Sequence, residues 1–179
     1  GMVLAHFGVA VSLFGMACEG AFSEEKLAAV AVGGTEQIND FAVTLDAVTP
    51  VAGPNWTAIE ASLAVRQDGG EPVILTPQAR NFWSPPQSTS ESALLTKWNG
   101  QLYAVIGNQA EDGRWQIRIW WKPFVTFIWY GGLLIGLGGI LAIAGRVKVD
   151  VTRRRAASKG DQRRADLEAL GAAAPQPAE

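Results

Sequence analysis

From Pro123 to Gly145 the chain carries no charged side chain, and this limits its fold more than any other feature. A helix needs roughly 20 apolar residues to cross the hydrocarbon of a bilayer, and this run supplies them. Its glycines suit a membrane helix better than the buried helix of a soluble core. Trp129 and Tyr130 near its start, with Trp120 and Trp121 just before it, are placed as an interfacial aromatic belt would be. The opening segment, residues 1–22, is also apolar and is interrupted only by His6 and Glu19. It lacks the basic leader of a signal peptide and starts with glycine rather than methionine, so it reads as a helix entered part-way, within a longer protein.

The charge pattern orients the two spans. Eight basic residues (Arg146, Lys148, Arg153, Arg154, Arg155, Lys159, Arg163 and Arg164) follow the second span, with only Asp150 and Asp161 among them. Residues 23–122 hold seven basic and eleven acidic side chains. The basic tail therefore belongs on the cytoplasmic side and the long connection outside. A formal net charge of −2 gives no support for nucleic-acid binding. The expected organisation is a transmembrane helix over 1–22, a periplasmic β domain over 23–122, a transmembrane helix over 123–145 and a basic, largely disordered cytoplasmic tail over 146–179. A short helix is expected within Asp161 to Leu170.

Between the spans, period-two alternation recurs. Phe41, Val43, Leu45 and Ala47 share one face; Thr57, Ile59, Ala61, Leu63 and Val65 share another. Asp68-Gly69-Gly70 supplies a tight turn, and Pro72 to Thr76 starts the return strand. A second hairpin joins Leu102–Ile106 to Trp115–Trp121 through Glu111-Asp112-Gly113, with Trp115, Ile117, Ile119 and Trp121 facing one way and Trp115 expected in the core. Ser84 to Ser92 is rich in Pro, Ser and Thr and reads as a loop. The fold class is a membrane protein whose two transmembrane helices flank an antiparallel all-β domain, a small barrel or sandwich.

A single cysteine, Cys18, excludes an internal disulfide, a CxxC pair and a zinc cluster, and reads as a packing residue. No nucleophilic triad, phosphate loop or carboxylate pair stands out, so no catalytic residue is assigned. His6 is the one histidine, on an otherwise apolar helix. Ionisable groups in the hydrocarbon are costly and usually serve a pathway, a partner or a cofactor. A neutral imidazole is a common axial haem ligand, and equally a structural group bonded to a carbonyl of another helix. Both readings stay open. Ala5, Gly8, Ser12 and Gly15 recur at helical spacing beside it and would admit a neighbouring helix or a flat cofactor. Gly132-Leu-Leu-Ile-Gly136, with Gly139, is a small-residue pattern that favours close helix packing.

Met2–Val11, Val51–Trp56, Leu102–Gly107 and above all Asp112–Val125 (Asp-Gly-Arg-Trp-Gln-Ile-Arg-Ile-Trp-Trp-Lys-Pro-Phe-Val), followed by Ile128-Trp129 and the glycine-rich span, resemble the C-terminal part of the CcmF family of cytochrome c-type biogenesis proteins. The resemblance covers about residues 1 to 148. The chain departs from it at Ala79-Arg80-Asn81-Phe82, where the family has a Lys-Arg pair before an aromatic, and at Gly100-Gln101, where it has Arg-Asp.

The resemblance implies part of a multi-pass protein of the bacterial inner membrane, a haem lyase subunit that takes part in transferring haem to apocytochrome c in the periplasm. It implies the partners CcmE, a haem chaperone, with CcmH and CcmI presenting the apocytochrome thiols. It implies a membrane-embedded haem b held by two transmembrane histidines, the second of which matches His6. His6 would then be an axial ligand of the haem iron, paired with a histidine outside this chain. The contrasting expectation is a membrane-anchored periplasmic protein-interaction module with no chemistry of its own; a periplasmic hydrolase finds no supporting residues.

Overall fold

The computed structural model describes residues 1–172, with side chains to residue 164. Helix α1 (Met2–Phe22) leads into ten strands: β1 (Glu24–Val30), β2 (Thr35–Ile38), β3 (Phe41–Ala52), β4 (Trp56–Gln67), β5 (Val73–Leu75), β6 (Gln78–Trp83), β7 (Pro86–Glu91), β8 (Ala93–Lys97), β9 (Gly100–Gln109) and β10 (Trp115–Pro123). Helix α2 (Thr126–Ala172) follows. Every pairing is antiparallel, in two sheets. One has the order β1-β10-β9-β8; the other runs β2-β3-β4-β6-β7, with β5 added to β4. The open alternative is thereby resolved as a sandwich.

The core lies between the sheets because alternate residues of the central strands all point there. Phe41, Val43 and Leu45 of β3 and Ala61, Leu63 and Val65 of β4 meet Leu102, Ala104 and Ile106 of β9 and Ile117, Ile119 and Trp121 of β10. Trp121 is a corrected expectation. It is a core residue stacked against Phe41, not part of an interfacial belt. Trp115, expected in the core, is half-buried and packs against its margin.

Ala47 is only half-buried because the β3–β4 register shifts between Leu45 and Ala47. One extra residue, the exposed Asp46, moves the inward phase on, so that Val48 rather than Ala47 packs on the core. The tight turn after β4 forms as expected. Asp68 and Gly69 both have positive φ, 50° and 72°, and Gly70 N–H donates to the Gln67 carbonyl at 2.9 Å.

Five strands, β1, β2, β6, β7 and β8, were not anticipated. Residues 84–92, expected as a loop, contain β7, paired along its length with β6. β7 is a polar edge strand that buries no apolar face, so it carries no alternation signal; Pro86 is its first residue, where a missing donor is harmless. β1 also escaped, since Glu24, Glu25 and Lys26 mask it, yet it pairs with β10 from Glu24↔Trp121 to Val30↔Trp115.

α2 does not end near Gly145. It continues through the basic segment to Ala172 and absorbs the short helix expected at 161–170. Ala, Arg, Lys and Leu dominate that stretch and are strong helix formers. The last residues of the expected disordered tail, 173–179, lie outside the described residues.

Candidate functional site

α1 has 21 residues, about 31 Å at the usual helical rise, which matches a hydrocarbon core of about 30 Å. Both α1 and the Thr126–Arg164 part of α2 are long and apolar enough to cross a membrane.

The compact unit formed by residues 1–9 with the later part of α2 contains His6. Its helices approach backbone to backbone. A Cβ added at Gly138 would lie 2.6 Å from the Ala5 amide nitrogen and 2.9 Å from its Cα. One added at Gly1 would lie 2.6 Å from the Ala142 amide nitrogen. Gly8 is buried as well. The glycine that admits α1 is therefore Gly138; Gly132, Gly136 and Gly139, singled out from the sequence, have no neighbour at the Cβ position within 4 Å. Each helical step rotates about 100°, so His6, one residue beyond Ala5, leaves the packed face. Its ring is exposed among apolar residues such as Phe7.

The ring is not free to turn without loss. His6 Nδ1 lies 2.9 Å from the Met2 carbonyl oxygen one helical turn earlier. A carbonyl can only accept, so this bond requires Nδ1–H, and in the neutral imidazole the lone pair then resides on Nε2. Nε2 has no hydrogen-bond partner among the described residues. The result is an oriented, exposed imidazole whose Nε2 lone pair is unused among the described residues. Among the described residues no three His, Cys, Asp or Glu side chains converge as a metal site, and with one histidine in the sequence a second histidine ligand to a coordinated iron would come from outside it.

In the other compact unit, residues 10–131, the C-terminal half of α1 meets the start of α2. Gly15 lies against Phe124 O, Ile128 N and Phe127 Cβ, each 3.0 Å from a hypothetical Cβ, and Ser12 Oγ donates to Ile128 O at 3.2 Å. Phe14, Phe124 and Phe127 form a cluster with centroid separations of 5.5–5.8 Å. Ser12 and Gly15 thus pack against the start of α2. Cys18 is buried there as a packing residue. Glu19, which interrupts the apolar run, accepts a hydrogen bond from Lys122 Nζ at 2.8 Å.

The β-sandwich has a polar recess of about 340 Å³ beside Arg80, Asn81, Ser88, Asn108 and Gln116. Arg80 is already committed: Nε donates to Gln78 Oε1 at 2.7 Å, and its guanidinium lies 4.5 Å from the centre of the Trp56 ring. Ser88 is committed as well, its Oγ donating to Asn81 Oδ1 at 2.6 Å.

Comparison with known proteins agrees with this architecture. The CcmF C-terminal beta-sandwich family matches residues 21–123. The chain is 35% identical over 143 residues to the cytochrome c-type biogenesis protein CcmF of Escherichia coli (strain K12), covering 80% of this chain and 22% of that protein. It is 35% identical over 159 residues to CcmF of Pseudomonas aeruginosa, covering 87% of this chain and 24% of the relative. The cytochrome c-type biogenesis protein CycK of Bradyrhizobium diazoefficiens is 35% identical over 146 residues, 82% of this chain and 22% of its own length. The chain thus spans about a fifth to a quarter of the length of these relatives. A solved structure titled cytochrome c heme lyase CcmF shares the fold, with a TM-score of 0.66 and 19% identity over 78% of this chain and 23% of that one.

Proposed function

The chain belongs to the CcmF C-terminal beta-sandwich family, and from that membership we propose that it is the haem-ligand helix, outer domain and membrane anchor of a haem lyase subunit. The whole protein would take part in transferring haem to apocytochrome c on the periplasmic side of the bacterial inner membrane. Partners of the kinds named CcmE, CcmH and CcmI would supply haem and the apocytochrome thiols. The observation that carries the reading is the orientation of His6: Nδ1 is held by the Met2 carbonyl, and the ring is exposed on an apolar helix.

That donor suits a membrane-embedded haem b. A ring nitrogen whose partner nitrogen bonds a carbonyl has a fixed tautomer and orientation and is a better ligand for it. The haem would supply one-electron redox chemistry; the chain supplies one axial nitrogen, apolar surroundings and a backbone bond that keeps the ring aimed. About 24 Å of helix separates His6 from Phe22 and about 6 Å separates it from Met2, which puts the imidazole inside the hydrocarbon toward the end of α1 away from the β domain, if α1 spans. The second axial ligand would be a histidine outside this chain.

The test uses the intact protein. Wild type is expected to show a low-spin b-type spectrum that His6→Ala loses or alters, with His6→Gly recovering it when imidazole is added. The quantity to measure is haem per folded protein. Normal haem content and an unchanged spectrum in His6→Ala would remove His6 from the haem site and leave a membrane-anchored periplasmic interaction module.

A further inference from the structure

Strands β8 and β9 are joined by Trp98 and Asn99, and both residues are tied through their backbones to the chain entering α2. The Trp98 carbonyl accepts a hydrogen bond from Thr126 Oγ1 at 2.8 Å, and the Asn99 carbonyl accepts one from the Phe124 amide at 2.6 Å. Thr126 is the first residue of α2 and is 3% exposed, so the clamp is shielded from competing water. It fixes the turn at the level where the apolar helix begins, independently of the side chain at position 98.

That side chain is not used by the sandwich. The Trp98 indole is 71% exposed, on a turn where small polar residues are the usual choice. Trp129 and Tyr130, in the first turn of α2, are 70% and 43% exposed. Lys97, beside Trp98, forms no ion pair among the described residues. An indole with an apolar body and one N–H donor fits the boundary between headgroups and acyl chains, and a lysine beside it can reach a phosphate.

The geometry points to the β8–β9 turn as a membrane-interface anchor: Trp98 seats in the headgroup–acyl boundary of a phospholipid bilayer, with Lys97 toward the phosphates. The occupant follows from the clamp. A residue tethered to the first turn of a spanning helix is held at interfacial depth, and a ring with Trp129 and Tyr130 is completed from two separate parts of the chain. The anchor rests on α2 being a spanning helix and is independent of haem binding by His6.

Site-directed spin labelling tests it in the intact protein, reconstituted in phosphatidylethanolamine–phosphatidylglycerol vesicles, with cysteines elsewhere replaced. Labels are placed singly in Trp98→Cys, Ile140→Cys and Gln87→Cys, and collision with oxygen is compared with collision with a water-soluble nickel chelate. Ile140, 65% exposed on α2, reports the hydrocarbon, and Gln87 on β7 reports the aqueous side. The position-98 label is expected to give an oxygen-to-nickel ratio between the two controls, at the depth of the headgroup–acyl boundary. A ratio equal to that of position 87 overturns the anchor while position 140 still upholds the span. Low collision with both reagents overturns it too, because the turn is then covered by protein. Nickel access at position 140 would instead refute the span itself.

Discussion

Phe41 on the second strand of one sheet and Trp121 on the last strand of the other meet across the sandwich with ring centroids 5.0 Å apart, tilted 45°. They join the two sheets close to the point where β10 leaves for α2. Trp121 is 5% exposed, and a Cβ at Gly100 would lie 2.8 Å from its ring. Replacing a buried Trp with Ala typically costs about 3–5 kcal/mol, a large part of a small domain's stability. Trp121→Ala is therefore expected to abolish protease resistance of the outer domain. Trp115→Ala, at the core margin, is expected to be clearly milder. Limited proteolysis of both variants in membranes measures the difference; equal sensitivity would contradict the assignment of Trp121 as the inter-sheet residue.

Helix packing gives a second contrast. Gly138→Leu must displace the Ala5 backbone, whereas Gly136→Leu points into open space. The first is expected to lower the detergent melting temperature of this chain by several degrees. The second is expected to stay within about 0.5 kcal/mol of wild type, as surface changes do. Melting curves of the two variants would expose a reversed order.

Orientation is open to direct test. The Asp68-Gly69 turn is an exposed tip where a Cβ added at Gly69 would meet nothing within 4 Å, so an insertion there is tolerated structurally. A reporter active only in the periplasm is expected to work between Asp68 and Glu71 and to fail after Arg155. The opposite pattern would invert the proposed topology.

On the outer face, Arg118 pairs with Glu25 across β10 and β1. The hydrogen bond from Arg118 is the main reason the Glu25 carboxyl is held below the usual carboxylate range, against a smaller opposing effect of desolvation. A lowered folded-state value means that the pair's contribution is present above the ordinary Glu range and is lost as pH falls through the lowered midpoint. The pair is exposed, so its effect on stability is slight and screened by salt. An NMR titration of the Glu25 carboxyl is expected to show its midpoint rise toward the ordinary value in Arg118→Gln. An unmoved midpoint would mean that Arg118 does not set it.

The sequence by itself determined the elements whose signals are local. An uncharged run long enough for a bilayer must find an apolar environment, and alternation in β3, β4, β9 and β10 commits one face of each strand to burial. Asp68-Gly69 announces its turn through the backbone angles it tolerates. His6 was legible as the one imidazole in an apolar helix, but not the Met2 bond that orients it, since any helical histidine has a carbonyl four residues back. The tertiary structure decided whatever depends on a partner distant in sequence. β1 is a strand because β10 pairs with it, Asp46 bulges because β4 sets the register, and Trp121 is core because Phe41 stands opposite. Gly138 rather than Gly136 is the packed glycine because helix contact depends on which face the other helix meets. Trp98 belongs with Trp129 because Thr126 bonds its carbonyl across 28 residues of chain. Such relationships are set by pairing and packing between segments, and no local window of residues contains both partners.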